Sequence, residues 1–318
     1  QRTFKFCPTL PTDLLCLGGS SVDLILRVPR LPRRDEKLVS QFVGRVPGGM
    51  VANTACAAAR LGLTVGWAGA LGDDDNGRLM RAGFAEFGVD DSYAAVVVGG
   101  VTDFTVILLD DSGERTILVV PTLPSPPPLT DSALAALRAT RLAYTVPHQR
   151  DWFAPLAEAV HAGGGLVALD VETSSPAQGA DLTAAVDQSD IIFCNRRGLK
   201  LMTGASSAPV GARALLERGL TCVVVTLGAE GAYAAVRADS SAVTCRVAGH
   251  VVPVADTTGA GDCLHAAFMK GWLAGWPLDR ALKFANAAAA LSVQQVGARA
   301  GYPTETEVEQ FLVNGWNG

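Results

Sequence analysis

The sequence predicts an α/β fold with a mainly parallel central sheet, and three observations support this. Short apolar runs alternate with longer Ala- and Leu-rich segments that have helical spacing. The predicted strands are apolar along most of their length, as expected for a sheet that helices cover on both faces. Of the 318 residues, 49% are hydrophobic and 18% are charged, so the chain can bury a large core.

The spacing of apolar residues along the chain predicts the strands and helices of the main body. Apolar runs from "DLLCLGG" to "LTCVVVTLG" predict strands at 13–19, 64–72, 141–146, 165–171, 190–195 and 220–228. Segments with apolar residues every three or four positions predict helices at 50–62, 76–88, 150–162, 208–218, 259–274 and 278–293.

Two stretches break this alternation. Residues 24–49 and 100–121 have the pattern of extended antiparallel segments, and the second turns at "DDSGE". Both can form one small β-sheet outside the main body. The proline-rich stretch 121–131 predicts a connection rather than a helix or a central strand.

Composition excludes several classes of function. The net charge is -5 and no Lys/Arg-rich run occurs, so nucleic acid is not expected as a partner. No apolar run reaches about 18 residues, and no secretory signal is apparent, so neither a membrane span nor export is expected. The seven scattered cysteines, none in C-x-x-C spacing, indicate free thiols in a reducing cytoplasm.

The stretch "DTTGAGDCLHAAFMKGWL", residues 256–273, carries the clearest chemistry. Apolar residues at three- and four-residue spacing predict a helix that begins near Gly259 to Gly261. Unpaired N–H groups and the helix dipole favour an anion at such an N-terminus. Asp262 then lies at the edge of an anion site, where a carboxylate can accept a proton from an attacking hydroxyl. Taken alone, the same residues fit a tight turn and a helix cap.

Three motifs together resemble the PfkB, or ribokinase-like, family of carbohydrate kinases. They are "DTTGAGD" at 256–262, "PGGMVANTACAAARLG" at 47–62 and "VTLGAEGAY" at 225–233, and they occur in the family's order. The resemblance implies a three-layer α/β/α domain with a small β-sheet lid. It also implies transfer of the γ-phosphoryl group of ATP, with Mg²⁺, to a hydroxymethyl group of a small sugar.

The resemblance also implies roles for individual residues. Asp262 would be the general base, and the backbone around it would form the anion hole, at Gly259, Ala260 and Gly261. The sugar side would comprise Asp23, Gly48, Gly49 and Asn53. In isolation, Asp23 fits a solvated strand end and Asn53 a helix cap.

The nucleotide side follows in the same way. The family's positions beside the nucleotide correspond to Asn195, Thr226, Gly228, Gly231 and Asn286. In many members a monovalent cation binds at the positions of Asp256 and Thr258, and the spacing leaves open whether potassium is needed here.

Domain boundaries follow from the resemblance and the two irregular stretches. The large domain is expected at 13–26, 47–98 and 122–318, the lid at 27–46 and 99–121, and an irregular leader at 1–12. In several members the lid covers the sugar, excludes water and forms a dimer contact, so a homodimer is expected.

One position departs from the family pattern. In "FCNRRGLKLMTG" the family's N-x-x-E motif keeps Asn195, but Gly198 stands where a glutamate that organises Mg²⁺ is expected. Either Asp170 or Glu172 replaces it, or turnover is weakened and the chain is a kinase-like binding protein. A nucleoside kinase is a further alternative, which the aromatic content of 6% disfavours.

Short features near the substrate side give a weaker indication. The glycine at 198 and the terminal "GARAGYP" resemble the ketohexokinase-like branch, which includes sulfofructose kinases, and this favours a ketose. His148 and Arg150 follow a predicted strand and could select an anionic substituent, although a surface loop is the favoured interpretation. His265 is given no catalytic role.

Overall fold

The computed structural model describes residues 12–111, 114–172, 181–238 and 241–315, so the expected leader, apart from Thr12, lies outside the described residues. The strands are β1 (Thr12–Leu17), β2 (Ser21–Val28), β3 (Gln41–Gly48), β4 (Val65–Ala68), β5 (Ala70–Gly72), β6 (Ala95–Val97), β7 (Phe104–Asp110), β8 (Arg115–Val120), β9 (Thr140–Thr145), β10 (Leu166–Val171), β11 (Ile191–Asn195), β12 (Cys222–Thr226), β13 (Ala232–Arg237) and β14 (Ala242–Val247). The helices are α1 (Met50–Arg60), α2 (Asp75–Phe87), α3 (Asp131–Arg138), α4 (Arg150–Ala162), α5 (Leu182–Asp187), α6 (Arg196–Thr203), α7 (Ala208–Glu217), α8 (Ala260–Leu273), α9 (Leu278–Ser292) and α10 (Glu305–Asn314).

The central sheet has eight strands in the order β14-β13-β12-β11-β10-β9-β1-β4. The five pairs from β12 to β4 are parallel, whereas β13 and β14 join the edge as antiparallel strands. The predicted α/β class with a mainly parallel sheet is therefore confirmed.

Helices cover this sheet on both faces. Alternate residues of β1 point to opposite sides, so Leu14 and Cys16 join one core cluster while Leu15 and Leu17 join the other. The first cluster includes α1, α2, α8, α9 and α10, and the second includes α3 to α7. The continuous apolar strands that the sequence shows are the consequence of this double coverage. In the described ranges no helix is long and apolar enough to cross a membrane.

A separate four-stranded sheet has the order β3-β2-β7-β8. It arises from the two stretches that broke the helix-strand alternation. β2 pairs antiparallel with β3 and parallel with β7, and β7 pairs antiparallel with β8. Ser112 and Gly113 of the expected "DDSGE" turn lie outside the described residues. Because β2 begins at Ser21, the segment 21–26 also pairs within the small sheet. The assignment of whole ranges to a lid and a large domain stays a prediction.

Several elements were not anticipated from the sequence: β6, β13, β14 and the helices α3, α5, α6 and α10. The strand β13 reads "AYAAVR", and alanine has little preference for strands. Its pairing with both β12 and β14 is what makes it a strand. The helix α6 is short and contains a glycine, so its periodicity is weak.

Candidate active site

Two helix N-termini meet beside the central sheet and bring distant motifs together. Asp262 lies in the first turn of α8, and Asn53 lies in the first turn of α1. The Asn53 side-chain amide donates from Nδ2 to Asp262 Oδ2 at 3.0 Å, across 209 residues of sequence. Both side chains are buried. The fold therefore joins the glycine motif of residues 47–62 to the "DTTGAGD" motif.

The start of α8 has the geometry of an anion site. Gly259 is the N-cap with φ +79°, and a Cβ on it would lie 2.4 Å from the carbonyl oxygen of Ala298, so only glycine fits. Ala260 N–H donates to Thr257 at 3.3 Å and Cys263 N–H to Gly259 at 2.9 Å. The Gly261 and Asp262 amides lie between them, and a Cβ on Gly261 would meet open space. These amides, at the positive end of the helix dipole, can bind an anion.

Asp262 is held in a strongly perturbed environment. Burial raises the pKa of its carboxyl well above the ordinary value, the hydrogen bond from Asn53 opposes this, and the negative charges of Asp170 and Glu172 raise the pKa further. The positive charge of Arg299 lowers it. A carboxylate with a raised pKa is a better proton acceptor than an exposed one.

Arg299 is a component of the site that sequence reasoning missed. It is 8% exposed, and its guanidinium donates from Nε to Asn53 Oδ1 at 2.8 Å and from Nη2 to the Gly48 carbonyl oxygen at 3.0 Å. The signal that could have found it is an arginine within the otherwise uncharged stretch "GARAGYP".

The predicted sugar-side residues lie together. Asp23 is buried, and its Oδ1 accepts from Thr105 Oγ1 at 2.6 Å and from Ser21 Oγ at 3.3 Å. Burial raises the pKa of Asp23, although these hydrogen bonds and Arg299 oppose the rise. A Cβ on Gly48 would lie 2.3 Å from Asp23 Oδ2, which shows why a glycine is required there.

Gly49 allows two backbone segments to approach each other next to Gly48. It is the N-cap of α1 with φ +90°, and a Cβ on it would lie 2.7 Å from the Cα of Ser20. The turn between β1 and β2 therefore approaches the start of α1 closely. Since both Gly48 and Gly49 lack side chains, the Asp23 carboxylate and the α1 N-terminus share one corner.

Of the predicted nucleotide-side residues, Asn195 and Thr226 end β11 and β12, and Asn286 lies in the middle of α9. Asn195 caps α6 by accepting from Gly198 N–H at 2.9 Å, and it pairs with Thr226 at the ends of adjacent strands. Asn286 donates to the Ala248 carbonyl oxygen at 2.8 Å. Each of these residues has a local structural role, and nucleotide contact stays a prediction.

The two glycines of the "TLGAEG" loop differ in the space available for a side chain. Gly228 has φ +63°, and a Cβ on it would meet open space. Gly231 has φ +95°, and a Cβ on it would lie 2.1 Å from the carbonyl oxygen of Val247. Gly231 is therefore fixed by the approach of β14, whereas an added Cβ at Gly228 would have no neighbouring atom within 4 Å.

Asp256 and Thr258, the residues of the expected cation site, have a cationic partner from the small sheet. Asp256 Oδ1 accepts from Arg115 Nη1 at 2.9 Å, and Thr258 Oγ1 also contacts that guanidinium. Burial raises the pKa of Asp256, but hydrogen bonds from Thr258 and Gly297 together with the Arg115 charge outweigh it and leave the pKa below its ordinary value. Asp256 is therefore a carboxylate stabilised by a protein cation.

The departure from the family pattern at Gly198 has a steric cause. A Cβ on Gly198 would lie 2.0 Å from the carbonyl oxygen of Val171 at the end of β10. The start of α6 therefore packs directly on β10, and no side chain fits at this position.

The two carboxylates considered as replacements differ in environment. Asp170 is 3% exposed, accepts from the Tyr144 hydroxyl at 3.0 Å, and has its pKa raised by burial to about 7. Glu172 is exposed just beyond β10 and acts electrostatically on Asp262. Across the described residues, no group of three or more His, Cys, Asp or Glu side chains could hold a metal by itself.

Two histidines, His148 and His265, are buried rather than exposed at the surface. The favoured surface-loop interpretation of His148 is wrong: it is 3% exposed, packs edge-on against Trp152, and has its pKa lowered by burial to about 4. Arg150 is exposed and pairs with Asp181. His265 is buried beside Tyr144, with Nδ1 3.1 Å from the hydroxyl.

This arrangement of a mainly parallel sheet, a helix N-terminus and a buried carboxylate corresponds to a known class of phosphotransferase. The chain belongs to the pfkB family of carbohydrate kinases, whose family model matches residues 11–305. It is 28% identical to a ribokinase of Haemophilus influenzae, over 94% of this chain and 98% of the relative. It is 30% identical to an ATP-dependent ribose-1-phosphate kinase of Halopiger xanaduensis, over 94% and 97%.

The fold is shared with solved kinases. The structure of Arabidopsis thaliana ribokinase complexed with ribose and ATP superposes with a TM-score of 0.83 at 26% identity, covering 95% of this chain and 98% of that one. The expected family and the expected ribokinase-like fold are therefore both confirmed.

Proposed function

We propose that the protein is an ATP-dependent sugar kinase that phosphorylates a hydroxymethyl group of a small sugar, such as ribose, fructose, a related ketose or a sugar acid. The observation that carries this proposal is the buried Asp262 carboxylate at the N-terminus of α8, hydrogen-bonded to Asn53. Family membership across residues 11–305 supports the same activity.

The chemical step uses the base and the helix N-terminus together. Asp262 accepts the proton of the sugar hydroxyl as its oxygen attacks the γ-phosphorus, and the bond to the β-phosphate oxygen breaks to release ADP. The backbone at Gly259, Ala260 and Gly261 forms the anion hole, with the Gly261 and Asp262 amides best placed to donate. Burial of the base excludes water, which would otherwise accept the phosphoryl group.

On the sugar side, we assign binding to the corner formed by Asp23, Gly48, Gly49 and Asn53. Asp23 is an acceptor for sugar hydroxyls, and its carboxylate is held in place by Thr105 and Ser21. The two glycines let the sugar approach the backbone. The small sheet, which carries Asp23 on β2, would cover the bound sugar as a lid.

On the nucleotide side, we assign the ATP phosphates to the open space beside Gly228 and the α8 N-terminus. We assign four further residues to the same side of the site, where their strand pairing and hydrogen bonds fix the backbone: Asn195, Thr226, Gly231 and Asn286.

Mg²⁺ at this site would neutralise phosphate charge. Glu172 fits that role better than Asp170, because Glu172 is exposed at the end of β10 whereas Asp170 is buried against Tyr144. Mg²⁺ in phosphoryl-transfer sites needs only one or two carboxylates beside the phosphates and water, so the absence of a dedicated metal cluster among the described residues is consistent with this assignment.

We assign Asp256 and Thr258 to a cation site that stabilises the loop before α8. Arg115 supplies a positive group there through its contacts with both residues. A monovalent cation such as K⁺ would have to compete with this guanidinium.

The small sheet also presents an apolar surface that fits the expected homodimer. Exposed apolar side chains on the face opposite Asp23 include Phe42 on β3 and Leu118 on β8. A second copy of the chain would cover them. The cytoplasm is the expected location, since the described cysteines are free thiols.

The function is tested by ADP release from Mg²⁺-ATP with ribose, fructose, 2-keto-3-deoxygluconate, sulfofructose, fructose phosphates and nucleosides as acceptors. We expect one sugar to respond strongly. Asp262→Asn should lower kcat by about 10²–10⁴-fold while ATP affinity is unchanged, because only the proton acceptor is lost.

Each other outcome has a defined meaning. Unchanged turnover in Asp262→Asn would overturn the assignment of the base. A response to nucleosides alone would identify a nucleoside kinase. ATP binding with no product from any acceptor would favour a kinase-like binding protein.

A further inference from the structure

We infer that Arg299 is a positioning residue for phosphoryl transfer: its guanidinium fixes the Asn53 amide and, through it, the carboxylate of Asp262. This inference rests on the proposed function, because it assumes that Asp262 is the base. It concerns a side chain at the opposite end of the sequence from the glycine motif, which the fold brings to the centre of the site.

The geometry is a continuous chain of hydrogen bonds. Arg299 donates from Nε to Asn53 Oδ1 at 2.8 Å and from Nη2 to the Gly48 carbonyl oxygen at 3.0 Å. Asn53 then donates from Nδ2 to Asp262 Oδ2 at 3.0 Å. Because all three side chains are at least nine-tenths buried, water does not compete for these bonds.

Hydrogen-bond polarity makes this arrangement directional. Arginine has only donors, so the Asn53 oxygen must face Arg299 and the Asn53 NH₂ group must face Asp262. Without the guanidinium, the amide could rotate and present its oxygen to the carboxylate, which would repel it. With the amide fixed, Oδ2 of Asp262 is engaged and the other carboxylate oxygen accepts the substrate proton.

The charge of Arg299 acts on the same group. Asp170 and Glu172, at the end of β10, both raise the pKa of Asp262, whereas Arg299 lowers it. Burial also acts on titratable groups near Asp262: it raises the pKa of the hydroxyl or thiol groups and lowers that of the imidazole in Tyr144, Tyr302, Cys263 and His265. Arg299 therefore opposes the effect of these two carboxylates on the pKa of Asp262.

The same guanidinium also lowers the pKa of Asp23. One buried cation thus favours the charged forms of both the proposed sugar-binding carboxylate and the proposed base. Its Nη2 bond to Gly48 fixes the backbone next to Asp23. Arg299 in this way couples the sugar corner to the proton acceptor.

A purely structural role is the alternative, since the Arg299 guanidinium also lies 5.8 Å from the centre of the Phe84 ring. The pH dependence separates the two roles. We propose to compare Arg299→Met, which keeps the aliphatic stem but removes donors and charge, with Arg299→Lys, which keeps the charge but not the paired donors. Arg280→Met on the exposed face of α9 is the matched control.

With the responding sugar, Arg299→Met should lower kcat by about ten- to a hundredfold and shift the acid limb of kcat/KM to higher pH by about one unit or more. The KM for ATP should change little. Arg299→Lys should keep the acid limb near its wild-type position while kcat remains reduced, and Arg280→Met should resemble wild type. Equal losses at every pH, with an unshifted limb in Arg299→Met, would overturn the inference.

A second measurement does not need activity. Carboxyl ¹³C NMR follows the titration of Asp262, identified by the signal that Asp262→Asn removes. Its midpoint should rise in Arg299→Met and stay near wild type in Arg299→Lys. If the wild type phosphorylates no acceptor, the proposed function fails but this titration still tests Arg299. An unchanged midpoint in a folded Arg299→Met, or in Arg299→Gln if the methionine variant does not fold, would contradict the role.

Discussion

Gly198 illustrates at the residue scale how packing selects a side chain against a family pattern. The start of α6 lies on the end of β10, and the contact between Gly198 and the Val171 carbonyl oxygen leaves no space for a Cβ. A glutamate at this position therefore requires α6 to move. The missing carboxylate is a consequence of the local backbone, and Glu172, exposed just beyond the same strand end, is the acidic group that we propose in its place.

Restoring the glutamate should therefore harm the protein. We predict that Gly198→Ala and Gly198→Glu each lower the free energy of unfolding by about 1–3 kcal/mol, because the new side chain overlaps fixed backbone. Neither variant should gain turnover. Urea denaturation measures this, with Arg197→Glu as a control that adds a carboxylate to an exposed position of α6. Higher activity at wild-type stability in Gly198→Glu would contradict the steric explanation.

A buried cluster under the site should control how stability depends on pH. Tyr144 bridges Asp170 and His265 by hydrogen bonds of 3.0 and 3.1 Å. Burial raises the pKa of Asp170 from 3.8 to about 7, so the folded state holds an extra proton in this window and stability from Asp170 falls as pH rises. Burial lowers the pKa of His265 from 6.5 to about 3, so its contribution rises with pH over that range.

The two contributions oppose each other between about pH 4 and 6.5. Asp170→Asn removes the first, so stability should rise more steeply with pH in the variant than in wild type, by up to about 1.4 kcal/mol per pH unit. Urea midpoints from pH 4.5 to 6.5 test this. Asp151→Asn, on the exposed side of α4, is the control and should follow wild type. Parallel curves for wild type and Asp170→Asn would show that Asp170 does not titrate in this window.

At the scale of elements, one ion pair connects the small sheet to the loop that precedes α8. Arg115 is the first residue of β8, and Asp256 begins the "DTTGAGD" motif. The pair is partly exposed, with 38% and 20% of the two side chains accessible, so it should contribute at most about 1 kcal/mol to stability. Its effect should instead appear in the position of the loop.

We predict that Arg115→Met makes turnover depend on K⁺. The Asp256 carboxylate then lacks its cationic partner, and a monovalent ion can take that position. Turnover in KCl should exceed turnover in tetramethylammonium chloride by severalfold in the variant and by much less in wild type. Arg45→Met, on β3 of the same small sheet, is the control. Equal K⁺ dependence in wild type and Arg115→Met would show that the arginine does not fill the cation site.

At the scale of the whole molecule, the small sheet bears the apolar surface available to a second copy. We predict that the wild type sediments as a dimer and that Leu118→Asp, which charges a side chain with 51% exposure on the face opposite Asp23, shifts it to the monomer. Val243→Asp, on the edge strand β14 of the central sheet, should remain dimeric. Sedimentation velocity distinguishes these outcomes, and a monomeric wild type would rule out the contact.

Much of the fold could be predicted because its signals are local. The strands β1, β10, β11 and β12 are largely apolar runs, and the helices α1, α4 and α9 have clear periodicity. Elements whose identity depends on a neighbour were missed. The Ala-rich β13 is a strand only because it pairs with β12 and β14, and α6 is a short helix fixed by its packing on β10.

The sequence by itself determined the class of fold, the family and the residues of the proposed base and glycine motifs, because these depend on residue type and spacing along the chain. Only the tertiary structure decided which groups act on Asp262. Asn53 and Arg299 are far from it in sequence, and no periodicity relates them. Their contacts exist because α1, α8 and the turn after α9 pack on the same face of the sheet. Burial there lowers the local dielectric constant and so strengthens each hydrogen bond and each electrostatic interaction.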